Sequence, residues 1–149
     1  MGCALRADHA AVDRPPLILV VDDSPTIRAL VRIALRGLPV ELAEAEDGLT
    51  GLDAVARALP SLLLIDIQMP NLDGLGMLKA LRADPDPAVR ALPVLLLTAE
   101  RGEEIRKTAL DAGADDLMEK PLRIPAVKAV ALEHLARLAA RAAGDGVLP

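Results

Sequence analysis

Short apolar segments alternate along this chain with longer stretches in which apolar residues recur every three or four positions. Leu17–Val21 and Leu62–Ile65 are uninterrupted apolar runs, which is typical of strands buried on both faces of a sheet. The stretches between such runs have the spacing of helices that bury one face. This alternation predicts an α/β fold in three layers, with a five-stranded parallel sheet flanked by five helices. The other predicted strands are Val40–Ala45, Pro93–Leu97 and Asp116–Glu119.

Proline, glycine and capping residues mark the ends of the predicted helices. The second helix follows the turn at Asp47–Gly48 and ends before Pro60. The segment Asp84–Pro87, which contains two prolines, is predicted to be a linker. The residues predicted to be buried on the second helix are Leu52, Val55, Ala56 and Leu59. The other predicted helices begin at Pro25, Leu75, Arg101 and Pro125, and the last two end at Ala112 and about Ala142.

The length of 149 residues predicts one domain, and the ends of the chain differ from its middle. Residues 1–16 are polar and finish in two prolines, so they are predicted to form a flexible leader. Residues 17–142 carry the alternating pattern and are predicted to be the folded domain. Residues 143–149 are predicted to be a frayed tail.

The composition of the chain argues against several classes of protein, including disordered, nucleic-acid-binding and membrane proteins. The chain is 52% hydrophobic with a formal net charge of −5, which is typical of a globular protein and not of a disordered one. The acidic balance argues against direct binding to nucleic acid. No apolar run approaches the length of a membrane span or a secretory signal, and a single cysteine allows no internal disulfide. Together these features predict a cytoplasmic protein with no membrane association. The chain also contains no Phe, Tyr or Trp.

Polar residues with a common chemistry stand at or just after the ends of the predicted strands. These residues are Asp22, Asp23, Asp66, Thr98 and Lys120. The carboxyl ends of parallel strands meet at one edge of an open sheet, where ligands bind. Two carboxylates about 4 Å apart repel by roughly 4 kcal/mol at an effective dielectric of 20, so three of them favour a bound cation. Oxygen ligands of this kind favour Mg²⁺.

Thr98 and Lys120 would then supply hydrogen-bond donors to a phosphoryl group. Each also has a plainer interpretation, because a threonine at a strand end often caps the next helix and most lysines are solvated. A cis peptide bond at Lys120–Pro121 would direct the lysine toward the acidic residues, and we hypothesise that this bond is cis.

The same residues lie within sequence motifs that resemble the response regulator receiver domain. The resemblance extends over about residues 17–140, and its motifs occur in the order typical of that family. They are Val21–Ser24, Asp66–Pro70 with Asp73–Gly74, Leu97–Ala99, and Gly113–Asp116 followed by Lys120–Pro121.

The resemblance implies a flavodoxin-like sheet of strand order 2-1-3-4-5 and a role for each site residue. Asp66 resembles the phosphoacceptor, which takes a phosphoryl group from a histidine kinase or a histidine phosphotransfer protein. Asp23, Asp66 and the backbone carbonyl of Gln68 resemble the direct Mg²⁺ ligands, and Asp22 resembles the acid that holds metal-bound water. Thr98 and Lys120 resemble the groups that contact the phosphoryl oxygens.

Two hydrophobic positions depart from the family pattern. The family usually has Tyr or Phe at the position of Leu117 and commonly Phe at that of Leu122, so the switch that follows phosphorylation is expected to be weak or to use another surface. The resemblance places the surface for a downstream protein on residues 101–112, 116–119 and 125–142. It also places Gln68 and Glu100 beside the path of hydrolytic water. His134 is predicted to lie at the surface or on the flank of the last helix.

Three functions remain open from the sequence. The leading one is a stand-alone receiver of a two-component phosphorelay, which is not an enzyme beyond its own phosphotransfer and slow self-dephosphorylation. The second is a degenerate receiver that binds a partner without phosphorylation. The third is an Asp-nucleophile phosphatase, which the sequence disfavours because Gln68 stands where many such enzymes carry a second Asp as general acid.

Overall fold

The computed structural model describes residues 14–147. Most of the predicted leader and the last two residues lie outside this range. Five parallel strands form one sheet of order β2-β1-β3-β4-β5, which confirms the predicted topology. The strands are β1 (Leu17–Val21), β2 (Glu41–Ala45), β3 (Leu62–Asp66), β4 (Val94–Thr98) and β5 (Asp116–Glu119).

Four longer helices connect the strands, a fifth follows β5, and one additional helical turn occupies the predicted linker. That turn forms because the Asp86 side chain accepts a hydrogen bond from Ala88 N, and Pro87 suits the first helical position. The last helix continues to Val147, beyond the predicted end at Ala142 and into the predicted tail. The helices are α1 (Pro25–Leu35), α2 (Gly48–Arg57), α3 (Gly74–Arg82), α4 (Pro87–Arg90), α5 (Glu103–Asp111) and α6 (Ile124–Val147).

Alternate residues of each strand bury themselves in two separate aliphatic cores, one on each face of the sheet. Leu63 and Ile65 of β3 face the layer of α2, α3 and α5, whereas Leu62 and Leu64 face α1 and α6. A central strand is therefore apolar on both faces, which is why β1, and β3 and β4 up to their last residues, read as continuous apolar runs. The carboxyl ends of the strands form one edge of the sheet, which we call the upper edge, and Asp66 and Thr98 lie on it.

The predicted buried face of α2 is partly wrong. Val55 is buried at 4% exposure and Leu52 is half-buried, but Ala56 is exposed and Leu59 is 50% exposed. The helix ends at Arg57, so Leu59 no longer continues its buried stripe.

The prediction for His134 is also wrong, because its side chain is buried at 8% exposure. Its Nε2 lies 2.8 Å from Ser61 Oγ, at the edge of the sheet opposite the acidic residues. Ser61 Oγ also donates to the carbonyl oxygen of Leu17 at 3.2 Å, so the remaining role of this hydroxyl is to accept from the imidazole. This contact ties α6 to the start of β3.

The burial of His134 predicts a loss of stability in mild acid. Burial lowers the pKa of His134, and the positive charges of Arg137 and Arg141 lower it further. The unfolded chain therefore takes up a proton below about pH 6.5 that the folded chain does not, and the free energy of unfolding falls as the pH falls from there toward the lowered pKa. Urea unfolding followed by circular dichroism, above and below that pH, measures the effect. His134→Gln should reduce this pH dependence, and an unchanged slope in the variant would contradict the assignment.

Candidate functional site

The upper edge of the sheet brings together the three acidic residues that the sequence singles out. Asp22 and Asp23 follow β1, and Asp66 is the last residue of β3, the neighbouring strand. One carboxylate oxygen from each of the three lies within 4.8 Å of the others. Asp22 and Asp66 are buried, whereas Asp23 is exposed. The cluster is therefore open to solvent on one side only.

Lys120 supplies a positive charge to this cluster from the end of β5. Its Nζ lies 3.1 Å from Asp22 Oδ2 and 3.2 Å from Asp66 Oδ1. The peptide bond between Lys120 and Pro121 is cis, as hypothesised from the sequence. The backbone N–H of Lys120 donates to the carbonyl oxygen of Thr98 at 2.6 Å, which fixes the residue to the end of β4.

Asp22 carries a buried carboxylate oxygen that is incompletely satisfied. Its side chain has no solvent exposure, and its Oδ1 accepts from Ser24 N at 2.9 Å. Oδ2 has the charge of Lys120 nearby but, among the described residues, no partner in hydrogen-bond geometry. An unpaired buried oxygen costs free energy, and it fits a site that holds a cation or a cation-bound water.

Burial and neighbouring charges shift the pKa values of Asp66 and Lys120. Burial raises the pKa of the Asp66 carboxyl above its usual value, and the negative charge of Asp22 raises it further, against the opposing effect of Lys120. Burial alone would lower the pKa of Lys120, but its contacts with Asp22 and Asp66 outweigh burial and hold that pKa above the usual value. The lysine therefore stays charged, and the cluster retains an excess of negative charge that a divalent cation would relieve.

Thr98 is the last residue of β4 and is buried at 2% exposure. Its Oγ1 accepts a hydrogen bond from Glu100 N at 2.9 Å, which leaves the hydroxyl proton free to be donated. Thr98 does not cap α5, because the N-cap of that helix is Gly102. The side chains of Gln68 and Glu100 are exposed, and Gln68 Nε2 lies 3.5 Å from Glu100 Oε1.

Arg28 of α1 is a residue that the sequence interpretation missed. Its Nη1 donates to the carbonyl oxygen of Asp22 at 2.7 Å, and its Nε lies 3.4 Å from Glu44 Oε1 on β2. Arg32 Nε and Nη2 also donate to the two carboxylate oxygens of Glu44, each at 3.0 Å. This chain of contacts anchors the backbone of Asp22. The sequence signal was weak, since arginines on an amphipathic helix are usually solvated.

The loop between β3 and α3 turns so tightly that Gly74 has no room for a side chain. Gly74 N donates to the carbonyl oxygen of Ile67 at 2.8 Å, and a Cβ there would overlap the carbonyl oxygen of Asp66 and approach Ile67 Cα to 2.8 Å. The turn thus brings the start of α3 against the backbone of the residue that ends β3.

Gly74→Ala is expected to lower the free energy of unfolding by about 2–3 kcal/mol, because the overlap is with backbone that cannot move aside. Gly76→Ala, two residues along α3, is the matched control. A Cβ there meets the flexible end of Leu72 at 2.7 Å, and alanine suits a helix better than glycine, so the change should stay within about 1 kcal/mol. Urea unfolding of both variants measures the difference, and equal stabilities would contradict the packing argument.

Leu117 and Leu122, the two positions that depart from the pattern of the family that the sequence resembles, are both core residues. Leu117 is 8% exposed and packs on the α5 face of the sheet, and Leu122 is 5% exposed on the opposite face. The inward position at Leu117 is therefore already filled by an aliphatic side chain.

None of the described helices has the length and apolar character needed to cross a membrane.

Comparisons with known proteins agree with this architecture. The family model for the response regulator receiver domain matches residues 18–131. The response regulator MprA of Mycobacterium sp. (strain KMS) is 41% identical over 112 residues, which are 74% of this chain and 46% of that protein. The chain thus spans about half the length of the curated relatives that it matches.

Solved structures give the same result. The chemotaxis response regulator CheY4 of Vibrio cholerae aligns with a TM-score of 0.74 at 27% identity, covering 80% of this chain and 98% of that one. The receiver domain of NtrX from Brucella abortus aligns with a TM-score of 0.70 at 32% identity, covering 80% of this chain and 98% of the other.

Proposed function

Because the chain belongs to the response regulator receiver family, we propose that it is a phosphorylation-controlled signalling domain in which Asp66 accepts the phosphoryl group. The donor would be the phosphohistidine of a histidine kinase or of a histidine phosphotransfer protein. The reaction would require Mg²⁺, held by Asp23, Asp66 and the backbone carbonyl of Gln68, with Asp22 binding metal-bound water. The change at Asp66 would then alter the binding of a downstream protein.

The observation that carries the proposal is the set of charges around Asp66. The Asp66 side chain is 7% exposed and lies beside the wholly buried carboxylate of Asp22, and the Lys120 ammonium faces both. Among the described residues, Asp22 Oδ2 has this ammonium nearby but no partner in hydrogen-bond geometry. Packing alone would not favour this arrangement, because two buried acids exceed the charge of one lysine. A site that binds a cation and then a phosphoryl group accounts for all of these residues.

The residues present suit an in-line phosphoryl transfer. An oxygen of Asp66 attacks phosphorus as the bond to the histidine nitrogen breaks, and the electron pair of that bond leaves with the imidazole. Lys120 stabilises the negative charge on the equatorial oxygens, and the free proton of Thr98 is available to one of them. Bound Mg²⁺ would supply further positive charge to the same oxygens. The product is an acyl phosphate on Asp66, which the domain loses slowly to water.

We propose that the output passes through protein contact. The candidate surface comprises α5, β5 and the described first part of α6, which flank the loops that carry Thr98 and Lys120. A stand-alone role, a cytoplasmic location and the lack of direct nucleic-acid binding stay predictions, since the curated relatives are about twice as long as the matched segment.

Leu117 limits how the change at Asp66 reaches that surface. To move a population from about 1% to about 99% takes roughly 5.5 kcal/mol of differential stabilisation. A rotamer change of one buried leucine supplies much less, so the coupling should be weak or should use a different surface. Loss of partner binding in Leu117→Ala for the phosphorylated form alone would contradict this.

Incubation with acetyl phosphate tests the proposal and separates it from its alternatives. Intact-protein mass spectrometry should show one added phosphoryl group with Mg²⁺ and none with EDTA. A degenerate receiver would show no adduct under either condition. Steady turnover of p-nitrophenyl phosphate, in place of slow self-hydrolysis of the adduct, would support a phosphatase.

A further inference from the structure

We propose that Asp47 and Asn71 are positioning residues for the phosphorylation site, which they serve by fixing the loop that carries the Gln68 carbonyl. The inference rests on the proposed function, because it concerns the Mg²⁺ site of the same residues. Asp47 lies after β2 and Asn71 lies in the β3–α3 loop, and neither belongs to the set of acids, threonine and lysine described above.

Asp47 is a buried carboxylate with an unusually complete set of hydrogen bonds. Its side chain is 7% exposed, and its two oxygens face different partners. Oδ1 accepts from Thr50 N at 2.8 Å and from Thr50 Oγ1 at 2.9 Å, which caps α2. Oδ2 accepts from Asn71 Nδ2 at 2.6 Å. Capping explains the first oxygen, whereas the second is committed to the loop that follows Asp66.

Asn71 holds this loop in a conformation that few residues adopt. Its φ is 68°, and it is the one non-glycine residue with positive φ in the described part of the chain. Asparagine visits this region more readily than other non-glycine residues, since its short polar side chain bonds locally. The hydrogen bond to Asp47 therefore requires an asparagine side chain at position 71 and stabilises the positive φ of its backbone.

The backbone reinforces the same junction. Gly48 N donates to the carbonyl oxygen of Leu72 at 3.0 Å, and a Cβ on Gly48 would overlap that oxygen. The start of the loop is fixed to the sheet, since Ile67 N donates to the carbonyl oxygen of Leu97 at 2.9 Å. Gln68 contacts Glu100 at 3.5 Å, and Asp73 caps α3 by accepting from Gly76 N and Met77 N. The other hydrogen bonds described between residues 68–73 and another element go to the turn at Asp47–Gly48.

This restraint matters most for a backbone ligand. A carboxylate ligand rotates about its side-chain bonds to meet a metal, but the Gln68 carbonyl moves only with the loop. Mg²⁺ also demands near-ideal octahedral geometry, so a displaced carbonyl weakens binding instead of being accommodated. Groups that orient metal ligands typically change affinity about 10–100-fold when removed.

Asn71→Gly tests the restraint with little disturbance of the fold, because glycine adopts the positive φ but cannot bond Asp47. Titration calorimetry with MgCl₂, without a phosphodonor, should show affinity about tenfold weaker than that of the parent protein. Urea unfolding in metal-free buffer should still show one cooperative transition, so that loss of the fold does not account for the weaker Mg²⁺ binding.

Asp47→Ser is the second variant, because serine still caps α2 through Thr50 N but does not reach Asn71. It should weaken Mg²⁺ binding to a similar extent, and the double variant should bind no more weakly than either single one, as expected for two ends of one contact. Asp86→Ser is the matched control. It alters the cap of α4, away from the site, and should leave Mg²⁺ affinity unchanged.

The outcomes separate the inference from the proposed function. If the parent protein binds Mg²⁺ and is phosphorylated while both variants bind Mg²⁺ equally well, the positioning role is wrong and the proposed function stands. If the parent protein neither binds Mg²⁺ nor accepts a phosphoryl group, both are wrong. Additive losses in the double variant would also overturn the shared restraint.

Discussion

Asp66→Asn is expected to carry no phosphoryl group after incubation with acetyl phosphate and Mg²⁺, whereas the parent protein gains one. The amide lacks the anionic oxygen that attacks phosphorus, and the nearby acids are differently placed. Asp22 is wholly buried against Lys120, and Asp23 is exposed at the rim. Intact-protein mass spectrometry gives a direct answer. Asp53→Asn, an exposed aspartate on α2, is the control that should label normally.

The same variant should be more stable than the parent protein in metal-free buffer. Burial and the charge of Asp22 disfavour the ionised form of Asp66, which is the reason its pKa is raised. A neutral isostere removes that repulsion, so the midpoint of thermal unfolding should rise. Persistent labelling of Asp66→Asn would identify a different phosphoacceptor, and a lower midpoint would contradict the electrostatic account of the site.

Lys120→Met is expected to slow labelling by acetyl phosphate about 100-fold at saturating Mg²⁺. The Lys120 ammonium lies 3.2 Å from Asp66 Oδ1, where it can stabilise the negative charge of the phosphoryl oxygens. Loss of one such stabilising group typically lowers a rate by about 10²–10³-fold. The rate of adduct formation, followed by quenched samples in the mass spectrometer, measures the effect. Lys128→Met, on the exposed part of α6, should react at the parental rate.

Stability should move in the opposite direction to that of Asp66→Asn. Without the ammonium, Asp22 and Asp66 face each other unscreened in metal-free buffer, so the midpoint of Lys120→Met should fall. Added Mg²⁺ should recover part of the loss. Labelling at the parental rate, or a midpoint unaffected by both the substitution and Mg²⁺, would remove Lys120 from the site.

The alternation of apolar runs and amphipathic stretches was sufficient to predict the sheet and its five longer helices. Boundaries and short elements were harder, since the four residues of α4 are too few to show a helical period. Leu59 was misassigned because its spacing fits a helix that in fact ends at Arg57. The sequence pattern gives the face of a helix, but local capping decides where that face stops.

The convergence of the acids and the lysine was predictable because parallel strands place their ends at one edge. The contacts that hold them there were not. The buried side chain of His134 contacts Ser61, which precedes β3. The side chain of Asp47 contacts Asn71, which lies in a different loop. Such pairs depend on tertiary distances between residues 24 and 73 positions apart, which no local pattern reports.

The absence of Phe, Tyr and Trp makes the chain nearly silent in near-ultraviolet absorbance and in intrinsic fluorescence. A single tryptophan introduced beside Thr98 or on the outer surface of β5 would therefore be the sole emitter in the protein. Its emission spectrum would report one chosen location without background from other residues. The domain is therefore well suited to optical measurement of loop movement when the charge at Asp66 changes.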